Sequence, residues 1–376
     1  MLKIAFLSGA YKNAGDFLIE ERSIKLIQYF IQDISMDKFF RNELFGECEK
    51  LNDYDAIIIG GGPIYSQNIE QYLPIEEMIH VIEKPIMIIG GGWYGTSGGY
   101  QQVYDYRFSK LSKKFLEAVD KDGFGLSCRD LYTYRTLRKE GYQNVWITGC
   151  PAWYNLDTLK QSTLRENSAE IRSIVISDPA RESNFETALS VVQYLREYYP
   201  EAKITFLFHR GITPDKFTPQ SVAESTVKLK KSLQPYCDDI LDISYGGTGF
   251  SIYDTCDLHV GFRVHAHIYC LSMRNRSILI EEDGRGAGVN QILGIPSLKA
   301  YSDCIQTNNT IYMKVKRKLN LFAYHHVVED LCLYLEILQA TGDLYFENAF
   351  RSQQNYFRLM GNFISRLNSK SGGKKE

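Results

Sequence analysis

Asp55-Ala-Ile-Ile-Ile-Gly-Gly-Gly62 and Lys84-Pro-Ile-Met-Ile-Ile-Gly-Gly-Gly92 decide the fold of this chain. Each is an aliphatic run without polar alternation, so a strand made from it has both faces in the core. Strands of that kind belong to parallel sheets covered by helices on both sides. Lys3–Ser8 is a third such run, and an amphipathic stretch over Phe17–Phe30 follows it. Gly123–Asp130 reads as a strand feeding a helix over Leu131–Glu140, with Asn144–Thr148 as the next strand. The polar segment Thr158–Ser168 interrupts the alternation. It restarts with strand Ser173–Ser177, helix Asn184–Tyr198 and strands Lys203–Arg210, Ile240–Ile243, Leu258–Phe262 and Ser277–Ile280, and turns helical from Asn320. The expected architecture is α/β: two Rossmann-like domains over 1–157 and 169–310 facing one cleft, C-terminal helices over 311–365, and a disordered tail over 366–376.

The 376 residues carry a formal net charge of -2, with 44% hydrophobic and 23% charged residues, an ordinary globular balance. A chain without basic excess is a poor partner for nucleic acid, whose phosphates need cations. Eight cysteines stand at 48, 128, 150, 237, 256, 270, 304 and 332 with no CxxC pair, the usage of a reduced compartment. The first residues lack a signal-peptide core, and no run approaches the ~18 apolar residues of a membrane span. A cytoplasmic location is expected. Aromatic content of 13% adds modest weight to sugar recognition.

Asp257-Leu-His-Val-Gly-Phe-Arg-Val-His-Ala-His-Ile268 holds the strongest functional signal. It reads as a buried strand ending in Arg263, His265 and His267, with a helix following. In open α/β sheets ligands collect beyond the carboxyl ends of strands, where helix N-termini favour anions. An Arg and two His at such a mouth combine an anion clamp with a proton donor. His209-Arg210, at another strand end, is a further anion-site candidate. The two glycine triplets and the loop Asn13-x-Gly15-Asp16 face the same cleft, as ligand-approach points or as tight turns. Neither triplet opens a GxGxxG fingerprint, and no Walker A sequence is present. No His, Cys and carboxylate set has metal-ligand spacing, so no metal is expected. Glu281-Glu282-Asp283 reads as a solvated turn, Arg129-Asp130 as an ion pair at a helix start. The basic run Lys314, Lys316, Arg317 and Lys318 is either a solvated face or a contact to an anionic membrane surface.

Taken together, Asn13-x-Gly15-Asp16, Asp55 with Gly60-Gly61-Gly62, Ser127-x-Arg129-Asp130, Arg263-x-His265 and the strand leading to Glu281-Glu282-Asp283 make the chain resemble the polysaccharide pyruvyl transferase family over roughly residues 1–300. Gly149-Cys150-Pro151 departs from the Asp-Pro of many relatives, and Thr133 replaces a Ser. The resemblance implies a GT-B-like fold and transfer of a pyruvyl group from phosphoenolpyruvate to a sugar of a cell-surface polysaccharide, or its lipid-linked precursor, as a ketal. It implies no cofactor. On this reading Arg263 offers a two-pronged clamp to the donor, helped by His267, His209 and Arg210. His265 is the acid that protonates the enol carbon. Asp16 or Asp130 orients or deprotonates the sugar hydroxyl, and Asn13, Gly61, Gly62 and Arg129 lie on the acceptor side. A GT-B glycosyltransferase using a nucleotide sugar, or a non-enzymatic sugar-binding protein, would share much of this pattern.

Overall fold

Six parallel strands form the first sheet: β1 (Leu2–Ser8), β2 (Ile34–Phe40), β3 (Ala56–Tyr65), β4 (Ile86–Trp93), β5 (Leu126–Cys128) and β6 (Val145–Ile147), in the order β2-β1-β3-β4-β5-β6. Helices α1 (Ala14–Phe30), α2 (Ile75–Val81), α3 (Tyr100–Asp105), α4 (Lys110–Lys121) and α5 (Leu131–Lys139) connect them. The second sheet is also six-stranded and parallel, ordered β12-β11-β10-β7-β8-β9. Its strands are β7 (Ser173–Ser177), β8 (Lys203–Phe208), β9 (Asp239–Asp242), β10 (Leu258–Gly261), β11 (Arg276–Glu281) and β12 (Leu298–Lys299). Its helices are α6 (Phe185–Tyr198), α7 (Gln220–Leu233), α8 (Val264–Ser272) and α9 (Gly284–Leu293), followed by α10 (Val327–Thr341) and α11 (Leu344–Ile364). The computed structural model describes residues 1–95, 100–165, 170–301, 315, 324–342 and 344–370. Positions 166–168 of the polar interruption, the start of the helical region at Asn320, the basic run Lys314, Lys316, Arg317 and Lys318, and tail positions 371–376 lie outside the described residues.

Ile57, Ile58, Ile59, Ile88 and Ile89 are all fully buried, as strands covered on both faces require. The glycine triplets do not end these strands, because β3 and β4 run through them in register, Gly60 beside Ile89 and Gly62 beside Gly91. They are packing devices. A Cβ on Gly60 would stand 2.6 Å from the Phe6 ring, and one on Gly91 would stand 2.4 Å from that of Tyr65. β2 escapes sequence reading because an edge strand pairs on one side only and keeps polar residues, here Ser35, Asp37 and Lys38.

The C-terminal helix returns across the molecule. The ring of Phe357 on α11 lies 5.2 Å from that of Phe30 on α1, and Phe363 lies 5.9 Å from Trp146 on β6. Gln353 accepts from Arg274 of the second domain at 2.6 Å and donates to the Trp153 carbonyl. Phe346, Phe350 and Phe363 are buried to 1% exposure or less; each such side chain is worth about 1.5–3 kcal/mol. This helix thus ties the two sheets together behind the cleft. Among the described residues no helix is long and apolar enough to cross a membrane.

Candidate active site

Each sheet has one point where strand order reverses, between β1 and β3 in the first and between β7 and β10 in the second. Loops leaving such points diverge and leave a crevice. Here the two crevices face each other, and their loops touch. Ala14 N–H donates to the His209 carbonyl at 3.1 Å, Tyr245 N–H to the Lys12 carbonyl at 2.7 Å, and Lys12 Nζ to Asp215 at 2.5 Å. Between the loops lies a cavity of about 120 Å³ lined by Asn13, Asp16, Arg129, Arg210, His265 and Arg285, and equally by His209, Arg263, Glu282 and Asp283.

β10 stops at Gly261 and α8 begins at Val264, so Arg263 precedes the first helical turn and both histidines are helical rather than strand residues. Two positions along a helix are about 200° apart, where two along a strand share a face. His265 therefore faces the cavity and His267 faces the core. His267 is fully buried, its Nδ1 lies 2.7 Å from Ser277 Oγ, and burial holds its pKa down at about 3. The expectation that it helps hold an anion is corrected by this geometry.

The His265 ring packs on the first domain: a Cβ at Gly15 would stand 2.2 Å from its Nδ1. Gly15 in the Asn13-x-Gly15-Asp16 loop thus makes room for an imidazole from the other sheet. Nε2 of His265 is buried with no hydrogen-bond partner among the described residues. Burial, then the charges of Arg129 and Arg285, hold its pKa well below the ordinary 6.5, so the ring is neutral at pH 7 in the free protein.

Arg129 is 2% exposed, and its Nε and Nη2 find no hydrogen-bond partner among the described residues. Among the described residues its one ion-pair contact is Asp130 at 3.5 Å. Buried donors without hydrogen-bond acceptors are costly, so Nε and Nη2 of Arg129 are open to an anion in the cavity. Gly92 provides the space, since a Cβ there would be 2.2 Å from Arg129 Nε. The acceptor-side placement of Arg129 shifts accordingly: it lines the small cavity with His265. Arg210 stands in the same wall, exposed, with no hydrogen bond or ion pair among the described residues.

Arg263 differs from expectation. Its fork is occupied by Asp178, Nε to Oδ1 at 2.7 Å and Nη2 to Oδ2 at 2.5 Å. His209 Nδ1 reaches the same carboxylate at 2.9 Å while its Nε2 lies 3.0 Å from the Tyr253 hydroxyl, so both ring nitrogens are engaged. Burial alone would raise the Asp178 pKa, but Arg263 and then His209 hold it far below the carboxylate range. Asp178, which the sequence did not single out, thus fixes two site residues at once. Asp130 caps α5, accepting from Thr133 N–H at 2.7 Å, is fully buried and does not reach the cavity, which removes it as a base for an acceptor.

The acidic trio is also corrected from a solvated turn to the interior: Glu281, Glu282 and Asp283 are 1%, 5% and 5% exposed. Glu282 accepts from Ala180 N–H at 2.6 Å and Asn184 Nδ2 at 2.7 Å. Asp283 caps α9 and pairs with Arg285 at 2.6 Å. Burial pushes Glu281 up to about 7. The Gly-Arg-Gly opening of a helix after a strand end was the available signal for Arg285.

Asp16 lies where the small cavity meets a larger one of about 370 Å³ that also takes in Gly61 and Gly62. Burial raises the Asp16 pKa, opposed by a hydrogen bond from Asn13 and the charge of Arg210. A carboxylate of raised basicity between two connected cavities can take a proton from a hydroxyl in one while chemistry occurs in the other.

The sequence model of the polysaccharide pyruvyl transferase family matches residues 10–284. No curated protein matches the chain closely. Among solved structures, the UDP-N-acetylglucosamine 2-epimerase of Neisseria meningitidis bound to UDP-N-acetylglucosamine superposes with a TM-score of 0.57 at 9% identity, over 98% of this chain and 100% of its own. The MnaA–UDP complex of S. aureus superposes with a TM-score of 0.51 at 11% identity, over 90% of this chain and 97% of its own. At such identity the likeness speaks for the fold, which is GT-B-like.

Proposed function

For this chain, which belongs to the polysaccharide pyruvyl transferase family and is therefore an enzyme, we propose that phosphoenolpyruvate binds in the cavity between the sheets and gives its pyruvyl group to a sugar as a ketal. The observation that carries this reading is a set of buried nitrogens without hydrogen-bond partners among the described residues, Nε and Nη2 of Arg129 and Nε2 of His265, on residues lining one small cavity.

In the proposed sequence Arg129 and Arg210 hold the phosphate and carboxylate. The two negative groups raise the His265 pKa, so the ring takes up a proton on binding and passes it from Nε2 to the methylene carbon. The alkene electron pair forms the new C–H bond and leaves an oxocarbenium centre. A sugar hydroxyl attacks that carbon and yields its proton to Asp16. The C–O bond to phosphate then breaks with its electron pair, and a second hydroxyl closes the ketal. The second hydroxyl gives its proton to the now neutral His265 and Asp16 passes its own to the departing phosphate, so the two protons the hydroxyls lose match one gained by carbon and one by phosphate. Lipid-linked or free acceptors, and a peripheral place at the membrane surface, are compatible with this scheme.

Calorimetry with phosphoenolpyruvate in buffers of different ionisation enthalpy tests the first step. At pH 7.5 binding is expected to take up close to one proton, and affinity to fall as pH rises, because the bound state alone holds the imidazolium. No binding, or binding without proton uptake, would sink the reading.

Asp178→Asn offers a further check. It keeps the shape but removes the charge that fixes Arg263 and His209, so the KM for phosphoenolpyruvate should rise about tenfold, the worth of one charge-assisted pair. The effect on kcat should be smaller, since Asp178 does not touch the reacting atoms. Steady-state kinetics on a variant that melts cooperatively decides it.

A further inference from the structure

Two histidines lie in the core of the second domain and take no part in the chemistry above. His259 on β10 and His267 on α8 are fully buried, as are Ser177 at the end of β7 and Ser277 on β11. His259 stands opposite Ser277 in the β10–β11 register, and Gly261 stands opposite Ser177 in the β10–β7 register. A Cβ at Gly261 would lie 2.2 Å from Ser177 Oγ, so this glycine leaves room for the hydroxyl. The four side chains form one string of hydrogen bonds. Ser177 Oγ is 3.0 Å from His259 Nε2, and Ser277 Oγ is 2.7 Å from both His259 Nδ1 and His267 Nδ1.

Counting donors and acceptors places each proton in this string. Arg263 N–H donates to Ser177 Oγ at 3.1 Å, which leaves the Ser177 hydroxyl proton for His259 Nε2. His259 then carries its own proton on Nδ1 and donates to Ser277. Ser277 has one proton and, among the described residues, no third partner, so it donates to His267 Nδ1. The His267 proton therefore sits on Nε2. The far end leads to the same direction. A carboxylate only accepts, and Asn290 turns its Nδ2 to Glu281 Oε1 at 3.4 Å. Its Oδ1 is left as the acceptor facing the His267 ring, and neither that oxygen nor His267 Nε2 has another hydrogen-bond partner among the described residues. Every donor thus points from the Arg263 amide toward Glu281.

Burial keeps both imidazoles neutral, and above about pH 7 the string ends on the Glu281 carboxylate, which also faces Ser297, Lys299 and Tyr301. At the other end Arg263 is the residue that opens α8, two positions before His265. We propose that Ser177, His259 and Ser277 are positioning residues: with His259 and His267 locked in opposite tautomers, the string anchors the Arg263 amide and so places the His265 ring in the cavity. The tautomer lock is independent of the pyruvyl-transfer reading, and its effect on turnover rests on that reading.

The test is long-range ¹H–¹⁵N NMR at pH 8 on the whole protein labelled at its seven histidines, with signals assigned by single substitutions. His259 should be protonated on Nδ1 and His267 on Nε2. Ser277→Ala removes one oxygen atom. It should release His259 from its tautomer, shift the His265 ring signals and lower kcat about tenfold, the scale of a small misplacement of a reacting group. Phosphoenolpyruvate affinity should stay unchanged, because Arg129 and Arg210 hold the donor. His267→Gln presents an amide acceptor and donor in place of the ring and should keep the His259 tautomer. If Ser277→Ala does not melt cooperatively, Ser177→Ala reads the same link from the other end. Identical tautomers at the two histidines, the reverse assignment, or a folded variant with unmoved His265 signals and normal kcat would overturn the proposal. Shifted His265 signals in a protein that ignores phosphoenolpyruvate would leave the lock standing and remove the donor assignment instead.

Discussion

Replacing His265 with glutamine is expected to lower kcat for pyruvyl transfer by roughly 10²–10⁴-fold, the usual worth of a positioned general acid. Phosphoenolpyruvate should still bind, since Arg129 and Arg210 remain, but the proton uptake on binding should vanish. In the native enzyme the neutral His265 of the free state, held so by burial and by the Arg129 and Arg285 charges, must gain its proton in the complex. Activity is therefore expected to decline on the alkaline side, through the pKa of the bound imidazolium. The new methyl group made in heavy water should carry deuterium. His267→Gln is the control: its ring lies in the core against Ser277, so it should cost stability and leave kcat of the folded protein within a few-fold of normal. A His265→Gln enzyme of near-normal kcat would remove the mechanism.

Arg129→Gln should reduce phosphoenolpyruvate affinity by about a hundredfold or more. Two buried donors that have no partner in the free protein make charge-assisted hydrogen bonds in the complex, each worth about 1.5–3 kcal/mol. Arg129→Lys should recover little, because an ammonium keeps the charge but lacks the planar fork. Calorimetric affinities with thermal melts as the folding control provide the measurement. Affinity unchanged in a cooperatively folded Arg129→Gln protein would show that the open donors of Arg129 serve another purpose.

Much of the site was legible in the chain, and the rest was hidden for identifiable reasons. Asn13, Asp16, Arg129, Arg210 and His265 do converge on one cavity. His267 was misplaced because the period changes from two to 3.6 between Gly261 and Val264, and a two-residue spacing reverses its meaning across that point. The trio Glu281-Glu282-Asp283 looked solvated because carboxylates usually are. The partners of Glu282, the amides of Ala180 and Arg181 and the side chain of Asn184, lie about a hundred positions earlier.

By itself the sequence determined the two parallel sheets and their order of construction, because an aliphatic run buried on both faces is a local signature that needs no distant partner. It also carried the residue types that gather at the cleft. Only the tertiary structure decided what each charged group does there. Arg263 and Arg129 are indistinguishable as letters, yet one is neutralised by Asp178, 85 positions away, and the other is left with donors unfilled. Pairing energy depends on distance and burial in space, and strand-end loops from both sheets, β1, β7, β8 and β10, had to meet before that difference existed.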